Sequence, residues 1–167
     1  KFSYQGYEDS NCLIEIDEEP PRDINESCLS VCIQIALLLN CKIFSKTQVM
    51  RKTVIDGSNT SGFQRSVLVA YDGFLETSYG KVRIESIALE EDSARIISRG
   101  KKEDVYRLDR LGIPLVEITT SPDIKNPEHL KETALKIGDI LRSCSVKRGI
   151  GTIRQDVNLS ISKHPRV

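Results

Sequence analysis

The sequence predicts an α+β domain built around a mostly antiparallel β-sheet with flanking helices. Two segments have the apolar periodicity of amphipathic helices, whereas the segments between and after them are rich in β-branched residues and end at turn-forming dipeptides. The strands therefore cluster instead of alternating with helices, which favours antiparallel pairing. A chain of 167 residues is long enough for one domain of this kind.

Two helices are predicted from their N-caps. Asn25 precedes an apolar stripe that continues to about Leu39, and its side chain can accept a hydrogen bond from the first turn. Asn126 has the same place before a second helix, where Pro127 occupies the first turn and Glu128 lies near the positive end of the helix dipole. The two helices should flank a central block of strands.

The other patterned segments are typical of strands, because β-branched and alternating residues recur between turn signals. The predicted strands are Val49–Ile55, Ser66–Ala70, Val82–Leu89, Ala94–Ser98, Val105–Leu108, Ile113–Thr119 and Thr152–Ser162. The turn signals that separate them are Asp56-Gly57, Asp72-Gly73, Tyr79-Gly80 and Arg99-Gly100.

Charge and composition argue against several classes of function. Basic and acidic residues number 24 each and give a net charge of zero, whereas a protein that binds nucleic acid by charge alone is normally basic. Aromatic residues make up only 5% of the chain, which disfavours a base-stacking platform. The longest apolar run, around 35–39, is too short to span a bilayer.

The five cysteines occur without a CxxC motif, and their number is odd. Only two histidines, His129 and His164, could add metal ligands. Cys28 and Cys32 are one helical turn apart on the apolar face of the first predicted helix. We therefore expect reduced, structural thiols and a cytoplasmic location.

Thr152–Ser162 has the clearest alternation in the chain. Mostly apolar side chains share one face of this predicted strand, whereas Arg154, Asp156 and Asn158 share the other. A solvent-exposed sheet face would explain the polar row. A cation, a carboxylate and an amide in succession also suit a binding or catalytic face.

Two further carboxylates occur in apolar surroundings. Glu117 lies within an apolar strand, where burial is costly unless a cation, a metal or a donor compensates. An ion pair with Arg107 or Arg110 is the alternative for Glu117, and a solvated turn is the alternative for Glu91. Together with Asp156, these acids supply the oxygen ligands that Mg²⁺ prefers, so we expect the three carboxylates to converge in one pocket.

A Gly- and Ser-rich loop at 56–62 is bracketed by Arg51, Lys52 and Arg65. Glycine lets backbone amides approach an anion closely, and hydroxyls such as that of Ser58 add donors. The spacing matches neither a P-loop nor a dinucleotide fingerprint. The segment is either a phosphate-binding loop that faces the same cleft as the acids or a tight hairpin without a ligand.

Four strings resemble the catalytic domain of the B/E subunit family of tRNA-dependent amidotransferases, over nearly the whole chain from about Tyr7. They are RKTVIDGSNTSGFQR (51–65), IALEEDSARII (87–97), YRLDRLGIPLVEITTSPDI (106–124) and RGIGTIRQDVNLSI (148–161). The strings IDGSNTSGFQR and GTIRQDVN are more similar to the archaeal branch of the family than to the bacterial one.

The resemblance implies a cradle domain similar to glutamine synthetase, of which residues 1–167 would form one part. The start of the family's domain, with an early Glu-x-His strand that completes its metal site, and the C-terminal tRNA-binding domains would lie outside this chain. We therefore expect residues 1–167 to be inactive alone.

The resemblance also implies a reaction. The side-chain carboxylate of glutamate on tRNA(Gln) would be activated with ATP and Mg²⁺ to a γ-phosphoryl intermediate. Ammonia from an asparaginase-like partner, the D subunit of the archaeal complex, would then give Gln-tRNA(Gln). Phosphoryl transfer of this kind relies on Mg²⁺ and cations rather than on a protein nucleophile.

The family's site residues carry over position by position. Glu91 and Glu117 match metal-binding positions, and Asp156 and Arg154 line the same catalytic pocket. The candidates for nucleotide phosphate or the RNA end are Arg51, Lys52, Ser58, Arg65 and Asn158. The alternatives are a non-catalytic RNA-binding or scaffold domain, and an ATP-dependent ligase that acts on a free amino acid.

Overall fold

The structure is a computed structural model, and it describes residues 1–160. Its helices are α1 (Glu26–Leu38) and α2 (Pro127–Ser143), and a short 3-10 turn covers Leu108–Arg110. Its strands are β1 (Phe2–Gln5), β2 (Lys42–Ile43), β3 (Val49–Thr53), β4 (Phe63–Thr77), β5 (Gly80–Glu91), β6 (Arg95–Arg99), β7 (Asp104–Arg107) and β8 (Pro114–Thr120).

The strands form two sheets. In the large sheet the order is β2-β4-β5-β8, β3 also pairs with β4, and every pairing is antiparallel. In the small sheet β7 lies between β1 and β6, pairing parallel with β1 and antiparallel with β6. The predicted α+β class with a mostly antiparallel sheet is confirmed.

Both predicted N-caps are confirmed. The Asn25 side chain accepts a hydrogen bond from the backbone N–H of Cys28 at 3.0 Å, and Asn126 accepts one from that of His129 at 2.8 Å. Each bond satisfies an N–H that has no partner within its own helix. Neither helix within residues 1–160 combines the length and the apolar character needed to cross a membrane.

The core lies where α1 packs on one face of β4 and β5. Cys32 and Ile35 of the helix and Ile84 and Ile87 of β5 are fully buried in it. All five cysteines are free thiols, as predicted. Burial raises the pKa of the Cys32 thiol to about 12, so this side chain serves as a small apolar group.

Strand β4 is much longer than predicted, because the turn expected at Asp72-Gly73 does not form. Asp72 has a positive φ of 52°, yet pairing with β5 continues on both sides of it. A Cβ atom at Gly73 would lie 2.3 Å from the Sγ atom of Cys41, so glycine is needed for the close approach of the chain that follows α1. The chain does not reverse direction at Asp72-Gly73, and the glycine instead allows the close contact with Cys41.

The predicted strand Thr152–Ser162 is wrong over its described part, and its last two residues lie outside the described range. Residues 152–160 pair with no described strand. Val157 and Leu159 are 63% and 68% exposed. Alternation specifies two faces, but a strand also needs a neighbour for its backbone hydrogen bonds, and these residues have none here.

Two leucines at the end of α1 differ in burial, so replacing each with alanine should change the free energy of unfolding by different amounts. Leu39→Ala removes a side chain with 0% exposure, whereas Leu37→Ala removes one with 60% exposure. We expect Leu39→Ala to lower the free energy of unfolding by about 2–5 kcal/mol and Leu37→Ala to change it by about 0.5 kcal/mol or less. Urea unfolding measures both, and equal losses would contradict this description of the core.

Candidate functional site

The end of β5 places consecutive acids on opposite faces of the large sheet. Side chains alternate along a strand, and this part of β5 pairs in regular register with β8. Glu91 shares a face with Leu89, which packs against α1. Glu90 shares the other face with Glu117, because Glu117 pairs directly with Ala88.

Glu90 is the centre of a polar cluster on the face away from α1, which we call the Glu90 cluster and define as Lys52, Ser66, Glu90 and Glu117. The Glu90 side chain is almost fully buried and accepts hydrogen bonds from Lys52 Nζ at 2.5 Å and Ser66 Oγ at 2.9 Å. Glu117 is more exposed and contributes the second carboxylate. Three strands and the edge strand β3 thus bring two acids and one cation together.

The pKa of Glu117 is raised above its usual value. Partial burial is the main cause, the negative charge of Glu90 is the next, and a hydrogen bond with Glu90 adds to them. The ammonium of Lys52 acts in the opposite direction and lowers the pKa. The pair therefore holds more negative charge than Lys52 neutralises, which makes the Glu90 cluster attractive to a further cation.

Glu91 is part of a different arrangement on the α1 side. Arg65 holds its carboxylate with Nε at 3.0 Å from both oxygens, and a second guanidinium nitrogen also contacts it. Arg65 donates in addition to the carbonyl of Arg22. The pair borders a cavity of about 250 Å³ that Asn25 and Cys28 at the start of α1 also line.

The expected convergence of Glu91, Glu117 and Asp156 in one pocket is wrong for this structure. Glu91 and Glu117 lie on opposite faces, because they occupy positions of opposite parity in the ladder between β5 and β8. Asp156 is exposed in the segment that forms no strand. Sequence reasoning missed Glu90. The register that pairs Ala88 with Glu117 is what shows that Glu90 and Glu117 share a face.

Asp92 joins three parts of the chain at the end of β5. Its buried carboxylate lies 3.1 Å from Arg110 Nε and 3.6 Å from Arg154 Nη2. The sequence analysis assigned Arg154 to the catalytic pocket, whereas it assigned no role to Asp92. Asn158, two residues after Asp156, is exposed.

The loop at 54–62 connects β3 and β4, as predicted, but it packs against the small sheet. Tyr4 and Tyr106 donate their hydroxyl groups to the carbonyls of Gly57 at 2.7 Å and Asp56 at 2.6 Å. Ser58 donates its hydroxyl to the Asp56 carboxylate at 2.7 Å. Because β3 and β4 pair antiparallel on both sides of it, the segment is a hairpin connection with a long loop instead of a tight turn. The role of Ser58 toward a phosphate stays a prediction.

The bracketing cations are divided between the two faces. Arg51 pairs across the ladder with Arg65 and so shares its face, where its guanidinium lies 4.8 Å from the ring centre of Phe63. Lys52 is on the opposite face, in the Glu90 cluster. Of these three cations, only Lys52 lies beside Glu117.

Within residues 1–160, no three His, Cys, Asp or Glu side chains are arranged to hold a metal ion. Glu90 and Glu117 supply two carboxylates on one face of the large sheet, and the ammonium of Lys52 lies beside them. Two carboxylates that share a site repel, and hard divalent cations prefer oxygen ligands of this type. The donor set fits part of a Mg²⁺ site.

The family model for the GatB/GatE catalytic domain matches residues 10–167. The chain is 54% identical over 166 residues to the E subunit of glutamyl-tRNA(Gln) amidotransferase from Methanobrevibacter smithii, covering 99% of this chain and 27% of that protein. It is 56% identical over 168 residues to the protein of the same name from Methanocaldococcus jannaschii, covering 100% of this chain and 27% of that protein.

A third similar protein, which has the same name, comes from Methanothermobacter thermautotrophicus and is 56% identical over 166 residues. That match covers 99% of this chain and 27% of the relative. The chain therefore spans about a quarter of the length of the curated relatives that it matches.

Glu90 raises the pKa of Glu117 and Lys52 lowers it, so substitutions at these two positions should shift that pKa in opposite directions. Lys52→Met removes the neighbouring cation and should raise the pKa of Glu117 further, whereas Glu90→Gln removes the neighbouring charge and should lower it toward its usual value. Carboxyl-carbon NMR titration measures both shifts. Lys46→Met, an exposed change outside the cluster, is the control, and shifts of the same sign for Lys52→Met and Glu90→Gln would contradict the geometry.

Proposed function

The chain belongs to the GatB/GatE catalytic-domain family, and on this premise we propose that it is part of the catalytic domain of a tRNA-dependent amidotransferase. Its substrate is glutamate attached to tRNA(Gln). The enzyme is a ligase that uses ATP to activate the side-chain carboxylate of that glutamate, and ammonia completes the amide. The observation that carries the proposal is the pair of carboxylates Glu90 and Glu117 beside Lys52.

The proposed reaction has two balanced steps. A γ-carboxylate oxygen of the glutamyl group attacks the γ-phosphorus of ATP, and ADP leaves with the electrons of the broken P–O bond. Ammonia then attacks the γ-carbonyl carbon of the acyl phosphate, inorganic phosphate leaves, and a proton is lost to give the amide. Neither step needs a covalent protein nucleophile, so the protein acts by positioning and by neutralising phosphate charge.

Glu90 and Glu117 are the residues that would hold Mg²⁺, which supplies charge neutralisation to phosphate oxygens when it is bound. We place Glu90 in this role instead of Glu91, because Glu91 is held by Arg65 on the opposite face. Lys52 balances part of the carboxylate charge. Its ammonium is partly exposed, so Lys52 would also be able to contact a phosphate bound at the cluster.

Arg154 lies at the same end of β5 through its contact with Asp92. A guanidinium there suits a phosphate, because its planar donors match two phosphate oxygens. Asp156 and Asn158 follow on the same exposed segment and stay candidates for the substrate end of the site. Arg51 and Ser58 stay candidates for more distant nucleotide or RNA contacts.

The partners in the proposal are an ammonia-producing, asparaginase-like D subunit and glutamate-charged tRNA(Gln). The relatives are named as subunits of an amidotransferase that acts on glutamyl-tRNA(Gln), which supports a complex of several subunits. Free thiols at all five cysteines support a cytoplasmic location.

A scaffold that only retained the fold is the alternative function. The Glu90 cluster argues against it, because two neighbouring carboxylates, one with a raised pKa, weaken a fold unless they serve a cation or a substrate. A ligase for free glutamate would use the same cluster. The acceptor therefore has to be tested directly.

Glu117→Gln in a full-length subunit, assembled with its partner, tests the proposal. The substitution removes charge with little change in volume, so we expect ATP-dependent amidation of Glu-tRNA(Gln) to fall by about 100-fold or more, the scale of several kcal/mol of lost charge stabilisation. Radiolabelled glutamate on tRNA reports the product, and free glutamate should give none with the wild type.

Glu85→Gln is the matched control, since Glu85 is an exposed acid on the same strand as Glu90. It should retain wild-type turnover and the same melting temperature. Wild-type turnover by Glu117→Gln would reject the proposed site, and amidation of free glutamate would reject the proposed substrate.

A further inference from the structure

Asp92 is a buried carboxylate whose position is fixed by the backbone around it. Its N–H donates to the carbonyl of Ile113 at 2.8 Å, and its own carbonyl accepts from Gly112 at 2.9 Å. One carboxylate oxygen accepts from the N–H of Ser93 at 2.9 Å. The acid is 8% exposed, and the bond from Ser93 holds its carboxylate at the end of β5.

The two arginines that face this acid are held differently. Arg110 contacts it at 3.1 Å and also donates to the carbonyl of Ser93 at 3.2 Å, so two contacts hold its guanidinium in place. Arg154 approaches to 3.6 Å, longer than a hydrogen bond, and its side chain is 59% exposed. Toward the rest of residues 1–160, the guanidinium of Arg154 has this one ion-pair contact, which leaves donors that suit an anion.

The segment that carries Arg154 has few other restraints. Residues 152–160 pair with no described strand, and Gln155 Nε2 donates to the carbonyl of Ala134 on α2 at 3.0 Å. Gln155 thus links the segment to α2, and the attraction between Arg154 and Asp92 is its contact with the end of β5. Two cations against one buried acid also leave an excess positive charge there.

We propose that Asp92 is a positioning residue that sets the place of Arg154 at the end of β5. The inference rests on the proposed function for its catalytic consequence but not for the anchoring itself. Asp92 acts through Arg154 and touches no substrate. Arg154 then presents its free donors to an anionic group such as a phosphate of the nucleotide.

Asp92→Asn tests the anchoring in a full-length subunit. Asparagine can still accept from Ser93, so the turn should survive while the attraction to both arginines is lost. We expect trypsin to cleave after Arg154 several-fold faster in this variant. Cleavage after Lys101, in the turn between β6 and β7, should keep its wild-type rate and serves as the internal reference.

The catalytic consequence is tested by combining variants in the assembled enzyme. Displacement of a substrate-binding group by about 1 Å can cost about 100-fold in rate, so Asp92→Asn should lower kcat by that order with little change in KM for the tRNA. Arg154→Gln should give a similar loss, and the double variant should be no worse than Arg154→Gln alone.

Two controls separate positioning from stability. Arg110→Gln leaves the contact between Asp92 and Arg154 and should retain most of kcat, and Arg95→Gln breaks an unrelated ion pair with Asp109 and should retain all of it. Additive losses for Asp92→Asn and Arg154→Gln, or an unchanged trypsin rate after Arg154, would overturn the proposal. If Asp92→Asn does not fold, Asp92→Glu, which keeps the charge but moves it, is judged by the same two readouts.

A wild-type protein that does not amidate Glu-tRNA(Gln) would reject the proposed function alone. The trypsin comparison would still decide whether Asp92 anchors Arg154, because it does not depend on turnover.

Discussion

Three consecutive carboxylates at the end of β5 have to be neutralised, and the rest of the structure depends on how this is done. Glu90 and Glu91 alternate between the faces of the sheet, and Asp92 follows where the strand ends. Each acid meets a cation from a distant part of the chain. The cations are Lys52 for Glu90, Arg65 for Glu91, and Arg110 with Arg154 for Asp92.

These ion pairs link the fold to the proposed site. Arg65 links Glu91 to the segment that precedes α1, because it also donates to the carbonyl of Arg22. Asp92 contacts Arg110, which lies in the turn before β8. Of these three acids, Glu90 has a second carboxylate, that of Glu117, beside it, and Lys52 is the cation that both meet within residues 1–160. This excess of negative charge attracts a further cation.

The sequence predicted the features that depend on neighbours in the chain. Asn25 and Asn126 cap their helices because capping is decided within four residues. The antiparallel class followed from the clustering of strands between the helices. The family membership was recognisable from long strings and is confirmed by the match to residues 10–167.

Features that depend on contacts distant in sequence were not predictable in the same way. Asp72-Gly73 has the composition of a turn, but Gly73 serves the approach of Cys41 from another segment. The alternation of Thr152–Ser162 could not show whether a neighbouring strand exists. The resemblance indicated Glu91. The sequence could not show that Glu90 is the acid on the face of Glu117, because the register between β5 and β8 is not visible in either strand alone.

The central claim is that Glu90 and Glu117, and not Glu91, form part of a divalent-cation site. Mn²⁺ binding to a full-length subunit, followed by electron paramagnetic resonance, tests it most directly with Glu90→Gln and Glu91→Gln as neighbouring variants. We expect Glu90→Gln to weaken Mn²⁺ binding by about tenfold or more, roughly 1.4 kcal/mol, and Glu91→Gln to leave it unchanged. Loss of binding in Glu91→Gln with full retention in Glu90→Gln would contradict the account.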